Sequence, residues 1–303
     1  MAVVLSCAAC VACHVPDERF PVADAPRSEC DLTQPFSPAL PITELNDPTN
    51  SELVPRLSHD ERTIYFWVRL ANSTTGGELV TASRSTRAAS FGPATNLAID
   101  DATFKRDPTV TGDNLTLYFS ESSSTAPGKI YAATRQSTVD EFATPTEVAN
   151  LDTGSDDDDI EPYVLPNDQT IYLSASGNLY VSRRGVAGGA FAAPDEQPFA
   201  NVNGGTGLGA TSPVVSIDQL TLYFASTRAG GVGGSDIWTA TRKDPTDEFG
   251  APVDVGDIGA VNTPDFETPG WISDDGCRIY FARSPLGVHD WKLFVASKPA
   301  PSS

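Results

Sequence analysis

The chain is poor in basic residues, in histidine and in long apolar runs, and each shortage excludes something. Its 303 residues carry 20 Lys and Arg against 40 Asp and Glu, a formal net charge of −20. That excess repels phosphate backbones and argues against nucleic acid as a partner; it reads as a solvated acidic surface. Three histidines, His14, His59 and His289, are too scattered for a catalytic triad or a metal pair. Beyond the first 15 residues no segment is apolar enough for a transmembrane helix. No stretch keeps a helical period, whereas 24 Gly and 24 Pro supply turns between short strands. The Gly-rich run 203–209 leads to no Lys-Ser/Thr pair and no helix, so it is a flexible connection and not a phosphate loop.

What the chain does have is one phrase written five times: a Ser/Asp turn followed by an apolar pair around a tyrosine. The tyrosines are Tyr65, Tyr118, Tyr172, Tyr223 and Tyr280, spaced 53, 54, 51 and 57 residues apart. A fixed period of this size marks a solenoid, a propeller or an array. Five residues before each tyrosine stands Asp60, Asp113, Asn167, Asp218 or Asp275, a side chain that bonds its own turn backbone. Ten residues before it stands Pro55, Pro108, Pro162 or Pro213; in the fifth copy Pro269 stands at eleven, a one-residue slip for the turn 273–276 to absorb. Each unit therefore opens with a short strand, turns, and enters a strand centred on the tyrosine.

Two further signatures follow. Ala82-Ser83-Arg84, Ala133-Thr134-Arg135, Val181-Ser182-Arg183, Ala240-Thr241-Arg242 and Ala296-Ser297-Lys298 end a third strand of alternating character. Then come Phe91…Pro93, Phe142…Pro145, Phe191…Pro194 and Phe249…Pro252, a fourth strand whose proline places it at a sheet edge. Four strands in each of five repeats predict an all-β, five-bladed β-propeller. The fifth repeat lacks its fourth strand, and Phe36…Pro38 carries that signature with no tyrosine strand before it. Residues near 33–46 are expected to close the ring on the strands of 267–298, which removes an open sheet edge. The recurring Asp and Arg/Lys positions read as scaffold, and Trp238 and Trp291 as core.

The phrase Ser216…Asp218…Leu222-Tyr223-Phe224, followed by a Gly-rich loop and Asp236-Ile237-Trp238, resembles the PD40, or WD40-like, β-propeller repeat of TolB-like proteins. The likeness extends over residues 33–298. It implies the propeller fold, and it implies little about activity, because that family spans scaffolds, periplasmic binding modules and parts of enzymes. The third repeat departs from it, with Leu173 in place of Phe and a short loop at 174–178.

Residues 1–30 read as a leader and linker, and 31–303 as the propeller. The first 15 residues are apolar and contain Cys7, Cys10 and Cys13. They are too short to span a membrane and look like the end of a secretion signal without its basic start. Val4-Leu5-Ser6-Cys7 resembles a bacterial lipobox, which makes Cys7 the candidate lipid anchor, with Cys10 and Cys13, each preceded by an alanine, as the alternatives. The expected setting is exported, in the periplasm or on the cell surface, with membrane contact only through that anchor. Cys10-Val11-Ala12-Cys13-His14 matches the C-x-x-C-H pattern of haem attachment, yet no cytochrome domain accompanies it and the match reads as coincidence. Cys30 and Cys277 flank the expected seam of the ring and are the predicted disulfide of an exported protein.

Glu52, Asp107, Glu161 and Glu267 precede the inner strands of four repeats, near one mouth of the channel. Paired carboxylates can do acid–base work on glycosides, but recurrence with the repeat points to a structural role. Asp107, Glu161, Glu267 and Trp271 are the candidate ligand-binding residues. Asp156, Asp157, Asp158 and Asp159 form the densest charge run and read as a solvated loop, with Ca²⁺ as the alternative. No nucleophile with a neighbouring base is legible. The expected function is a monomeric, cofactor-free, non-catalytic binding or scaffold propeller of the bacterial cell envelope, recognising a protein or glycan. The alternative is a glycan-acting hydrolase or lyase that uses the channel carboxylates.

Overall fold

The computed structural model describes residues 29–71, 77–99, 104–123, 126–153, 159–203, 209–255 and 261–301. Cys7, Cys10, Cys13, His14 and Asp156–Asp158 lie outside these, as does the side chain of Asp159. The chain begins with β1 (Leu40–Pro41) and then builds blade one from β2 (Ser51–Leu57), β3 (Thr63–Arg69), β4 (Gly77–Ser83) and β5 (Thr95–Asn96). Blade two holds β6 (Phe104–Val110), β7 (Thr116–Ser123), β8 (Ala126–Thr134) and β9 (Thr146–Glu147). Blade three holds β10 (Asp159–Val164), β11 (Thr170–Ala175) and β12 (Asn178–Arg183). Blade four holds β13 (Thr211–Val215), β14 (Thr221–Ser226), β15 (Asp236–Thr241) and β16 (Val253–Asp254), and blade five β17 (Phe266–Ile272), β18 (Arg278–Ser284) and β19 (Lys292–Ser297). All pairings within the blades are antiparallel, and together they make the five-bladed propeller.

The fifth blade takes its outer strand from the start of the chain. Leu40 pairs with Val295 and Pro41 with Phe294, giving the sheet order β1-β19-β18-β17. In blade three the fourth strand shrinks to one bridge, Val181 to Asp195. The Asp195 carboxylate accepts the Gln197 N–H at 3.0 Å and the chain turns at once into a short 3-10 segment, so no ladder can extend.

Each inner strand carries a bulge at the same place. Ladder register shifts between Leu53 and Arg56, Arg106 and Thr109, Ile160 and Tyr163, Thr211 and Val214, and Pro269 and Trp271. The extra residues are a left-handed one and then a proline, which has no N–H to give the ladder. Val54, Asp107, Glu161 and Ser212 hold φ of 50°, 56°, 56° and 52°. In blade five Pro269 takes the first position and Gly270 the second, both counted at the same distance from the tyrosine as in the other blades. There is thus no slip for the turn to absorb. Gly270 stands in for the proline because Pro55 of blade one packs on it: a Cβ there would lie 2.3 Å from the Pro55 carbonyl oxygen.

The repeated turn and strand-end residues join neighbouring blades. In each turn a carboxylate or amide accepts the N–H two residues on, for example Asp60 from Arg62 (3.0 Å) and Asp218 from Leu220 (2.9 Å). Glu61, Asn114, Asp168 and Gln219 follow in the left-handed region. The tyrosine hydroxyl of the preceding blade donates to three of those side chains: Tyr65 to Asn114 (2.7 Å), Tyr118 to Asp168 (2.9 Å) and Tyr172 to Gln219 (3.2 Å). Around the seam Tyr280 donates to Glu61 (3.2 Å). Arg84, Arg135, Arg184 and Arg242 donate to the carbonyls of those same turn residues and stack on Phe91, Phe142, Phe191 and Phe249 at 4.2–4.4 Å. Blade five substitutes Lys298 over Phe36 at 5.0 Å, so the residue supplied by the N-terminal segment completes the same contact. Beside it Cys30 and Cys277 form a disulfide with Cα atoms 5.7 Å apart.

Candidate functional site

The bulge positions of the five inner strands form one ring around the channel: Val54, Asp107, Glu161, Ser212 and Pro269. Two neighbours in that ring are acidic, and hydrogen bonds link them in sequence. Thr268 Oγ1 donates to Ser212 Oγ (2.8 Å), and Ser212 Oγ donates to Glu161 Oε1 (2.8 Å). Glu161 Oε2 accepts from the Ser212 N–H and from Ser174 Oγ, both at 2.6 Å. The Glu161 N–H donates to Ser120 Oγ (3.1 Å), and Ser120 donates onward to Asp107 Oδ2 (3.3 Å). One belt therefore runs from blade five to blade two with both carboxylates on it.

Asp107 is 3% exposed. Burial first, and the charge of Glu161 second, push it up to about 7 against the pull of Arg106 and Arg56. Such a group holds a proton near neutrality while its neighbour is braced by three donors. Two carboxyl groups placed in unlike surroundings are the arrangement used for acid–base chemistry.

The other two acidic candidates stand elsewhere. Glu52 and Glu267 lie thirteen residues before their tyrosines, not eleven, and each is tied into its own surroundings. Glu267 pairs with Arg283 (2.8 Å) and accepts from Thr263 Oγ1 (2.5 Å) and Thr263 N (3.2 Å), which pins the segment before β17. Glu52 accepts the Asp47 N–H (3.2 Å) and faces Lys292 (3.4 Å), and burial pushes it up to about 7. The four acidic residues are therefore two sets, one structural and one in the channel. Counting back from the tyrosine separates them without any coordinates.

Trp271 is 7% exposed and stacks edge-on against Tyr280 at 5.8 Å. It lines a cavity of about 20 Å³ at the turn end of the channel with Tyr163, Thr109 and the His59–Asp274 pair. That space is the size of one water and too small for a ligand platform.

One channel residue escaped the repeat logic. Arg56, nine before Tyr65, sits where the other blades have Thr109, Tyr163, Val214 and Trp271. It is 1% exposed and spans from blade one to both blade five and blade three, donating to the carbonyls of Gly270 and of Pro162 (3.4 Å). Its guanidinium lies 4.8 Å from the Tyr163 ring centroid. Burial pulls it down to about 10, so it is cationic at neutral pH. A charged residue among mostly apolar inner positions was the available signal. No cluster of three His, Cys, Asp or Glu able to hold a metal occurs among the described residues.

By sequence no family model and no curated protein matches the chain. By fold it is similar to the catalytic domain of the GH62 alpha-L-arabinofuranosidase of Coprinopsis cinerea, at 12% identity over 88% of this chain and 97% of that one, with a TM-score of 0.55. It is similar also to the GH43 endo-arabinanase of Bacillus licheniformis, at 14% identity, 83% and 95% coverage and a TM-score of 0.52. TolB of Acinetobacter baumannii gives 13% identity, 83% and 55% coverage and a TM-score of 0.44. At these identities the likeness establishes the five-bladed propeller. The expectation of a non-catalytic envelope scaffold is corrected: the similar folds with a TM-score above 0.5 are GH43 and GH62 propellers.

Proposed function

We propose that the chain is a glycan-acting hydrolase in which Asp107 and Glu161 are the working carboxyl pair. The observation that carries this reading is their shared bulge position in neighbouring blades, joined through Ser120. Asp107 holds the proton at rest and delivers it to the glycosidic oxygen as the C–O bond breaks. Glu161 serves the anomeric carbon as base or nucleophile, and water supplies the new hydroxyl. The other three bulge positions, Val54, Ser212 and Pro269, carry no titrating group, so the two carboxylates account for all proton transfer in the ring. Polymers of arabinose and xylose are the substrates to try first, since the similar folds act on or bind such glycans. An exported, oxidising setting fits the Cys30–Cys277 bond.

The test is release of sugar from arabinan, arabinoxylan and xylan by the wild type and by Asp107→Asn and Glu161→Gln. Turnover by the wild type that drops about 10²–10⁴-fold in each variant, with each variant still folded at the assay temperature, supports the proposal. Absence of turnover by the wild type across the panel, or turnover undiminished in both variants, ends it.

A further inference from the structure

Two residues past the bulge of blade one a buried cation reaches across to two other blades. Arg56 leaves β2 two residues past the bulge and crosses to carbonyls of two other blades, one of them not adjacent to its own. Its Nε–H has no hydrogen-bond partner in the described residues although the side chain is 1% exposed. Holding a guanidinium in such a place costs desolvation, and two carbonyl acceptors offset only part of it. The neutral contacts therefore do not explain why the position is charged. The acidic pair beside it does: two carboxylates in one buried channel repel each other unless a cation lies near.

We propose that Arg56 is a positioning residue that reaches across beside Asp107 and Glu161 and supplies the charge that lets both occupy the channel. The inference rests on the reading of those two carboxylates as the working pair. The charged groups around Asp107 are Arg106 on its own strand at 3.6 Å, Glu161 on β10, Arg56 on β2, and the Lys105–Glu121 pair between β6 and β7 at 3.5 Å. Arg106 is part of the same strand as Asp107, so it moves with it. Arg56 reaches in from a different blade and is the group through which the ring can tune the pair. Tyr163, pushed up by burial, keeps its proton and offers the guanidinium a neutral face.

The experiment is a carboxyl ¹³C titration of protein labelled at Asp and Glu, with Asp107→Asn to assign the Asp107 signal. It compares the wild type with Arg56→Met and Arg56→Lys, and thermal melting at each pH keeps the comparison to folded protein. Loss of the cation moves the Asp107 midpoint up by about 1–3 pH units, and Lys restores part of the shift. If Arg56→Met fails to fold, Arg56→Lys still shows the intermediate midpoint. An Asp107 midpoint unmoved in both variants overturns the inference whatever the activity does. A moved midpoint in a protein with no glycan turnover keeps the electrostatic role and rejects the hydrolase reading. Where turnover is found, the alkaline limb of kcat/KM, which reports loss of the Asp107 proton, moves in the same direction as the midpoint; a plain packing role would lower stability and leave that limb where it was.

Discussion

Two sets of equivalent positions run around this ring, and they behave in opposite ways. Five residues before each tyrosine, and at the ends of the third strands, the blades nearly agree: Asp, Asp, Asn, Asp, Asp and a basic residue over a phenylalanine. Eleven residues before the tyrosine four blades share a left-handed backbone and disagree on the side chain, Val54, Asp107, Glu161 and Ser212, and the fifth has Pro269 there. Agreement marks the contacts every blade boundary needs. Disagreement at a fixed, strained backbone position marks places freed from that need. A left-handed Val or Glu costs about 1–3 kcal/mol, and the surrounding sheet must hold it. The bulge is therefore scaffold, while its side chain is open to chemistry.

The sharpest way to break this distinction is to compare Asp107→Asn with Asp113→Asn. Asp107 lies on the variable ring; Asp113 lies in the repeated turn, where its carboxylate accepts from Thr111 Oγ1 (2.6 Å) and Leu115 N (3.0 Å). Activity on the substrate found in the panel falls about 10²–10⁴-fold for the first and stays within a few-fold for the second. Equal losses in the two would show that the variable ring has no special standing.

The next largest effect concerns the seam against the other blade boundaries. The Cys30–Cys277 bond joins positions 247 apart in sequence, whereas the interior boundaries rely on hydrogen bonds and stacking. Replacing Cys277 with Ser lowers stability by about 2–5 kcal/mol in urea unfolding, more than any single interior contact. A change below about 1 kcal/mol would mean that β1 pairing alone closes the ring.

The third effect is read in pH. Asp107 has its folded pKa raised from 3.8 to about 7, so the folded state keeps a proton that the unfolded state has already lost. Stability therefore falls as pH rises from about 4 to about 7, by at most about 1.4 kcal/mol per pH unit, and levels off above that. Asp107→Asn removes this slope and stands above the wild type by more at pH 8 than at pH 4. Glu52, raised by burial to about 7, contributes in the same sense and leaves a residual slope in the variant. A wild type whose stability rises through that window would reverse the assignment of the proton.

The period of the tyrosines, the turn residues and Phe36 were legible because each obeys a local rule that needs no neighbour: a turn chemistry, a strand alternation, a missing partner strand. The bulge was not, because a left-handed residue before a proline is invisible in a string of letters. Pro269 looked displaced until its pairing showed that Gly270 fills the proline's place so that Pro55 can approach. Asp107 and Glu161 were named among four acids; their count of eleven residues to the tyrosine, against thirteen for Glu52 and Glu267, was readable in the sequence, but that eleven falls on the bulge was not. Arg56 could not be placed at all, since its partners Gly270 and Pro162 are 214 and 106 residues away.

The smallest effect tests the repeated set against its own exception. Tyr118 donates to Asp168 at 2.9 Å and accepts from Arg184 at 2.7 Å. Tyr223 faces the boundary where Gly276 replaces the turn acceptor and Lys298 turns instead to the carbonyls of Leu32 (2.8 Å) and Gln34 (2.9 Å). A cleft of about 230 Å³ lined by Tyr223, Gly276 and Lys298 lies there. Tyr118→Phe removes two hydrogen bonds, leaves a buried guanidinium and carboxylate short of a partner, and costs about 1–3 kcal/mol. Tyr223→Phe removes a hydroxyl that has no partner among the described residues, and costs less than about 0.5 kcal/mol by the same reasoning. Denaturant melts of the two variants decide it: if Tyr223→Phe is the more damaging, the hydroxyl matters for packing in the cleft and the boundary contact is not what the repeat preserves.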